Sequence, residues 1–461
     1  MLQEVLVRPK TSRPQGPAVD HVSPLDQYMT RSILPMMCFF QVESADLRTK
    51  VLDNLKTGLA CTLDEMPFLA ANIIPESEER DTIQLEYDSD AGVWFYSQDL
   101  PEFNFQTLAS RNFSLSDLPA TQFVPEPRFH HPKKTPALTV LATFITGGVI
   151  VTANGHHSLV DAHGCNILIE TLAKNVAAAS EGRTIPQNER LPAEALDRTK
   201  FRASNDLPSP EYPASCTTEE RPTEAEVQEK AVELTVSKWF LPDQALDSLK
   251  AITRETFINE PEATRNTLMA ALVWRHVSLA QQLSSIEIAT SLITPINMRR
   301  RMPEAAWEYP GNCVVMAKAT VTAADVLSHE DKELETLYNL ARQISESISW
   351  WTAERVRELI ASINSCSNVR DQIAPPSSAM NTGIFVTRLP KRSEVLPVSG
   401  WGLELGPMKA FRVFPPPMRA GMVEIVPDVH GGLLILLWIR EEVHSRLKED
   451  IGWTKWVKLI E

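Results

Sequence analysis

Apolar positions recur along this chain with two periods. Leu138 to Ile145 (LTVLATFI) and Val149 to Asn154 (VIVTAN) are short apolar runs separated by Thr146, Gly147 and Gly148, the spacing of a hairpin. Leu168, Leu172 and Val176 follow at helical spacing, so the hairpin feeds an amphipathic helix. Farther on, LTVSKWFLP reads as a strand, and Asp243 to Thr253 carries Leu246 and Leu249 on one helical face. Ser328 to Ser349 places Leu334, Leu337, Leu340, Ala341, Ile344 and Ile348 on a single stripe and predicts a longer helix. GMVEIVPD and GGLLILLWI predict a strand pair closed at His430, Gly431 and Gly432, with a helix from Glu441 to Lys448. Strands alternating with helices in both halves indicate α/β layers.

The pattern lapses between Glu181 and Lys230, where 11 acidic residues, 7 basic residues and six prolines show little apolar periodicity. That stretch predicts an exposed crossover. The expected division is an N-terminal lobe over 1–184, a crossover over 185–232 and a C-terminal lobe over 233–461, with part of 380–410 packing on the N-terminal lobe.

Composition narrows the classes. At 461 residues, 43% hydrophobic and 23% charged, the chain has material for sizeable cores and is neither fibrous nor wholly disordered. A net charge of −14 repels phosphate backbones and anionic membranes, so neither nucleic acid nor membrane is an expected partner. Glu4, Arg8 and Lys10 stand where a signal peptide needs an apolar core, and no later run approaches the ~18 uncharged apolar residues of a membrane span. The six cysteines, Cys38, Cys61, Cys165, Cys216, Cys313 and Cys366, are scattered without a chelating pair and read as reduced thiols of a cytoplasmic protein.

Chemistry concentrates in ANGHHSLVDAHG, Ala153 to Gly164, at the corner between the second hairpin strand and the helix. Two histidines with a carboxylate four residues beyond the second suggest a metal site, a hydrolase triad or a lone general base. A zinc site lacks a third ligand and an HExxH motif. A triad lacks GxSxG, and Ser158, between His157 and Asp161, has no independent support. A general base needs only one imidazole held in a cleft near a hydroxyl. Against all three stands a plain structural reading, in which His156 and His157 are turn or core residues and Asp161 caps the helix. His130 and His131 in FHHPKKTP have no carboxylate at a useful spacing and read as a basic surface loop.

GHHSLVDAHG resembles the HHxxxDG-type motif of the BAHD acyltransferases and their fungal relatives, the group that includes trichothecene O-acetyltransferases. The likeness extends along most of the chain. HVSPLDQYM is similar to the opening S-x-x-D segment through Ser23 and Asp26. TRNTLMAALVWR resembles the helix pattern S/T-x-N-D-x-L-x-A-x-x-W, with Thr267 where many relatives carry aspartate. INMRRRMPEAAWEYPGN resembles the N-x-R-x-R... Y-x-G-N block. Val398-Ser399-Gly400-Trp401-Gly402 stands where relatives have Asp-Phe-Gly-Trp-Gly.

The resemblance implies a two-lobed, chloramphenicol acetyltransferase-like α/β fold, with mixed sheets flanked by helices and a channel between lobes. It implies His157 as general base. Asp161 would pair with an arginine, Arg299 first and Arg301 second, and with Gly164 support the active-site loop. The implied reaction is acyl-CoA-dependent O-acylation, acetyl-CoA being the default donor, of a small secondary-metabolite alcohol (or amine) by a cytoplasmic monomer without a metal. Alternatives on the same scaffold are condensation, cyclisation or isomerisation of a metabolite, or binding without turnover. Because coenzyme A is polyanionic, the window from Arg388 to Arg412, with five basic and two acidic residues, supplies the candidate contacts Lys391, Arg392, Lys409 and Arg412. An ordinary solvated loop would have the same composition.

Overall fold

The structure, a computed structural model, describes residues 2–11, 18–42, 44–201, 234–283, 285–303, 305–327, 332–372, 382–388, 400–413, 420–428 and 431–460. Among these, strands form three sheets. The first has six strands in the spatial order Gln3–Val7, Val93–Asn104, Leu138–Thr146, Gly148–His156, Ile33–Gln41 and Ala410–Val413. Its pairings are antiparallel except between Val93–Asn104 and Leu138–Thr146, which run parallel.

Continuous apolar strands mean burial on both faces. Met36, Cys38 and Phe40 face one side, with Val149 and Val151, where the helices Arg48–Glu65 and Ala162–Ser180 cover them. Met37, Phe39 and Ile150 alternate to the other side, against Phe105, Leu108, Phe113 and Phe123. The two helices touch closely, since a Cβ on Gly58 would meet Val176 Cγ2 at 2.5 Å.

The second sheet has seven strands in the order Val314–Thr322, Ala289–Asn297, Ile384–Arg388, Met422–Pro427, Leu433–Ile439, Thr235–Leu241 and Lys458–Ile460. The helices Arg265–Gln281, Glu333–Trp350 and Glu441–Glu449 pack Leu268, Trp274, Leu337, Leu340 and Leu447 against Leu292, Ile384, Val423, Ile425 and Leu437. A small four-stranded sheet completes the fold. This is the two-lobed arrangement of mixed sheets and flanking helices. A separate apolar cluster joins the lobes: Leu25 and Tyr28 of the short helix Pro24–Tyr28 pack with Met298, Met302, Tyr309, Trp351 and Val356.

The observed hairpin is longer than the apolar run suggests, ending at His156, with Gly147 at φ +77° in the turn. The helix expected over 328–349 is observed as Glu333–Trp350. His430 and residues 328–331 lie outside the described residues. The first part of the expected exposed crossover is partly anchored: Ala195, Arg198 and Phe201 are buried. Strand Ala410–Val413 leaves the second half of the sequence and pairs with Ile33–Gln41, Ala410 opposite Phe39. No helix among the described residues is long and apolar enough to cross a membrane.

Candidate active site

The corner after strand Gly148–His156 is fixed by its own polar atoms. Asp161 is the N-cap of Ala162–Ser180, its Oδ1 accepting from the Gly164 N–H at 2.8 Å. Gly164 is demanded by close approach, because any Cβ there would collide with the Pro310 carbonyl oxygen. The plain capping role and the proposed ion pair therefore meet in one side chain. Arg299 NH1 donates to Asp161 Oδ2 at 2.8 Å and NH2 to Oδ1 at 3.0 Å, both residues buried, and the Cys313 N–H donates to Oδ2 at 3.0 Å. Burial pushes the Asp161 carboxyl up, but Arg299 and the two backbone donors outweigh it and hold it below its ordinary range. Arg299 spends its remaining donors on Tyr309 O, Gly311 O and Asn297 Oδ1. Arg301 instead caps the carbonyls of Ile348 and Trp351.

A second buried ion pair, with no periodic signal in the sequence, braces the other side of the loop. Asp26 accepts from Arg198 NH1 on Oδ2, and from the Asn312 backbone N and Nδ2 on Oδ1 at 2.9 Å each. Ser23 and Asp26 form a capping box on the first short helix. Arg198 NH2 donates onward to Leu159 O, and Asn312 Nδ2 to His157 O at 3.0 Å. The crossover, the N-terminal segment and the Tyr309-to-Asn312 block thus converge on residues 157–161.

His157 is half-buried, one residue past the strand. Its Nδ1 lies 3.1 Å from Val160 O. A carbonyl can only accept, so Nδ1 carries the proton and Nε2 keeps its lone pair. Nε2 has no hydrogen-bond partner among the described residues. Burial lowers the imidazole below its ordinary value, partly offset by backbone carbonyls and Asp161, so the ring is neutral at pH 7. Its backbone is held as well, the N–H by Ser32 O at 2.8 Å.

The triad alternative is not assembled. Ser158 Oγ accepts from Arg31 NH1 at 2.9 Å and donates to Thr30 O, and Asp161 is committed to Arg299 rather than to His157 Nδ1. His130, read from sequence as part of a surface loop, is half-buried, its Nδ1 3.0 Å from Nε2 of the fully buried His156. The reason is tertiary: residues 123–130 lie along the strand face that carries His156.

Of the four expected coenzyme contacts, two are described. Lys391 and Arg392 lie outside the described residues, and Lys409 is exposed. Arg412 turns inward, NH2 donating to Asn112 O at 2.7 Å. Burial lowers its pKa against the pull of Asp428 and Glu424. A cavity of about 760 Å³ opens beside Asp161, between the first turns of Ala162–Ser180 and the strands Ala289–Asn297 and Ile384–Arg388. Its basic lining residues are Lys174, Arg190, Arg300 and Arg388. Arg300 stacks over Trp307, 4.7 Å from the ring centroid, and the His163 ring lies 4.3 Å from the same indole.

The departures at Thr267 and in the Gly-Trp-Gly segment keep their local geometry. Thr267 completes a capping box with Thr264, doing for the helix what an aspartate there would do. Trp401 is buried edge-on against Phe40 at 5.0 Å, and Gly402, at φ +98°, sits where a Cβ would strike Ser180. Val398 and Ser399 lie outside the described residues.

The sequence profile of the Transferase family matches residues 4–396. Acyltransferase easC of Emericella nidulans is 27% identical over 474 residues, covering 97% of this chain and 96% of that protein. Acyltransferase cm3D of Cordyceps militaris is 25% identical, covering 97% and 98%. Among solved structures, F. sporotrichioides TRI101 complexed with coenzyme A and T-2 superposes with a TM-score of 0.78 at 18% identity, covering 96% of this chain and all of that one. That last likeness is one of fold.

Proposed function

The chain belongs to the Transferase family, the BAHD-type acyltransferases, and from that premise we propose that it is an acyl-CoA-dependent O-acyltransferase acting on a hydroxyl of a small metabolite. The observation that carries the proposal is the state of His157: a neutral ring, its proton fixed on Nδ1 by Val160 O and its Nε2 unengaged. Nε2 takes the proton of the acceptor hydroxyl as that oxygen attacks the thioester carbonyl. The tetrahedral intermediate then collapses, the C–S bond breaks, and the imidazolium returns its proton to the departing thiolate. No acyl-enzyme is needed. Asp161, Arg299 and Gly164 fix the turn that carries the base, because a loop histidine is useful only with a defined rotamer and backbone.

For the donor, the cavity beside Asp161 is the proposed entrance. Its lining is mixed, with Lys174, Arg190, Arg300 and Arg388 beside Glu65, Asp161, Glu170, Glu189 and Glu308, and the four cations are the proposed contacts for a nucleotide diphosphate. That TRI101 structures are of complexes with coenzyme A and T-2 mycotoxin supports both an acyl-CoA donor and a small-molecule acceptor. Acetyl-CoA is the proposed default acyl group. The five described cysteines are free thiols, in keeping with a cytoplasmic site of action.

The test is incubation with acetyl-CoA and a panel of polycyclic alcohols, read by the mass gain of the acceptor and by release of free thiol. Folded His157→Ala protein should form product at least about 10²-fold more slowly. Near-parental turnover by that variant would overturn the assignment.

A further inference from the structure

His157 stands between two residues whose side chains are both tethered, and the tether on His156 has a direction. Strand Gly148–His156 presents Thr152, Asn154 and His156 on one face. Thr152 Oγ1 donates to Phe123 O at 2.8 Å, Asn154 Nδ2 to Pro127 O at 2.7 Å, and His156 faces His130 at 3.0 Å. Three successive positions of one strand face thus fasten the segment 123–130 over it.

The polarity of the last contact follows from its neighbours. The Ser158 backbone N–H points at His156 Nδ1, 3.2 Å away, and a backbone N–H can only donate. His156 Nδ1 is therefore bare, and the neutral ring carries its proton on Nε2. That proton is given to His130 Nδ1, which leaves the His130 proton on its own Nε2. Thr135 Oγ1, 3.3 Å from His130 Nδ1, accepts from the His131 N–H and donates to His131 O, so it does not compete. The pair is also held neutral. Burial, Arg31 and Arg370 lower His130 to about 4, and burial with His130 and Arg31 takes His156 well below its ordinary value. On the far side of the base, Arg31 secures Ser158 Oγ.

We propose that His156 and His130 are positioning residues for His157: a chain of two neutral imidazoles, running Ser158 N–H to His156 to His130, that fixes the backbone carrying the base through the fastened segment 123–130. The inference rests on the reading of His157 as general base. It explains why two histidines stand in tandem although one suffices for the chemistry. The first belongs to the strand and faces the fastened segment, while the second stands past the strand end.

The experiment measures kcat and KM in variants that keep or oppose this polarity. His130→Lys offers only a donor to the His156 Nε2–H, forcing His156 to lose either that contact or the Ser158 N–H. Its kcat should fall about tenfold, with KM for acyl-CoA and acceptor within about twofold. His130→Asn offers a carbonyl oxygen that accepts from Nε2–H and should recover kcat to within about threefold of the parent. In a His157→Ala background, His130→Lys should cost nothing further, since two residues acting through one group are not additive. Nitrogen chemical shifts of the His156 ring should show a bare Nδ1 and a protonated Nε2. Parental kcat in His130→Lys, an Asn variant as poor as the Lys variant, an equal cost in both backgrounds or the opposite tautomer would each overturn the proposal alone. A fully active His157→Ala protein would overturn the base reading and this proposal with it.

Discussion

Replacing Asp161 with Asn removes one charge and one acceptor from a site where four N–H donors converge on two oxygens. The amide keeps one oxygen, enough for the cap, and Asn is nearly as good an N-cap as Asp. It cannot neutralise Arg299, which is 3% exposed and retains only carbonyl and amide oxygens from Tyr309, Gly311 and Asn297. Leaving one member of a buried pair uncompensated costs about 3–5 kcal/mol. The surviving oxygens put Asp161→Asn near about 3 kcal/mol, and Asp161→Ala, which also loses the cap, about 1 kcal/mol beyond it. Urea unfolding followed by tryptophan fluorescence reads the difference, with kcat measured on the folded fraction. The sign with pH is fixed by the depressed carboxyl. Its contribution is complete above the ordinary carboxylate value and is lost as pH falls through the lower folded value, so Asp161→Asn should flatten the acid limb of the stability curve. An Asn variant within about 0.5 kcal/mol of the parent would refute the reasoning, as would equal losses for Asn and Ala.

Other expectations follow from the same geometry. The acid limb of kcat/KM should fall below the ordinary histidine value, because burial lowers His157, and a limb above about 6.5 would contradict it. His276, buried between Asp450 at 2.7 Å and Glu333 at 3.7 Å, is lowered by burial but raised overall by those carboxylates. Its stabilisation should be complete below the ordinary histidine value and vanish as pH rises through the raised folded value. His276→Gln should remove that slope from unfolding midpoints measured as pH rises above the ordinary histidine value. Arg300→Glu at the cavity rim should raise KM for acyl-CoA by a factor that shrinks with salt and leave KM for a neutral acceptor unchanged; an unaltered KM at low ionic strength would exclude this cavity as the donor entrance.

What was legible in the sequence was local. The hairpin, the helix after it and the corner between them follow from periodicity. Arg299 was reachable because its block resembles a known pattern; the structure puts it 2.8 Å from Asp161. Arg198 was not, because it sits in a segment without periodicity, and its partner Asp26 is 172 positions away. His130 and Arg412 mislead for a related reason. A linear run of charge or histidine says nothing about which face of a sheet will cover it. His130 is covered because Thr152, Asn154 and His156 fasten the segment that carries it, and Arg412 because its strand joins the first sheet. Thr267 shows the converse, a departure from pattern that leaves the cap intact.

The late strand Ala410–Val413 gives the first lobe a history during synthesis. Its partner, Ile33–Gln41, leaves the ribosome about 370 residues earlier, which at cellular elongation rates is roughly 20 to 75 s. Throughout that interval the apolar strand Ile33–Gln41 is a bare sheet edge, open to pairing with any other nascent chain. The lobe that carries the base is therefore not an autonomous cotranslational unit. A nonsense mutation between the codons for His156 and Ala410 would release a product that has both Ile33–Gln41 and its partner Gly148–His156 but leaves the adhesive edge uncovered, one suited to capture by chaperones or to co-aggregation on polysomes.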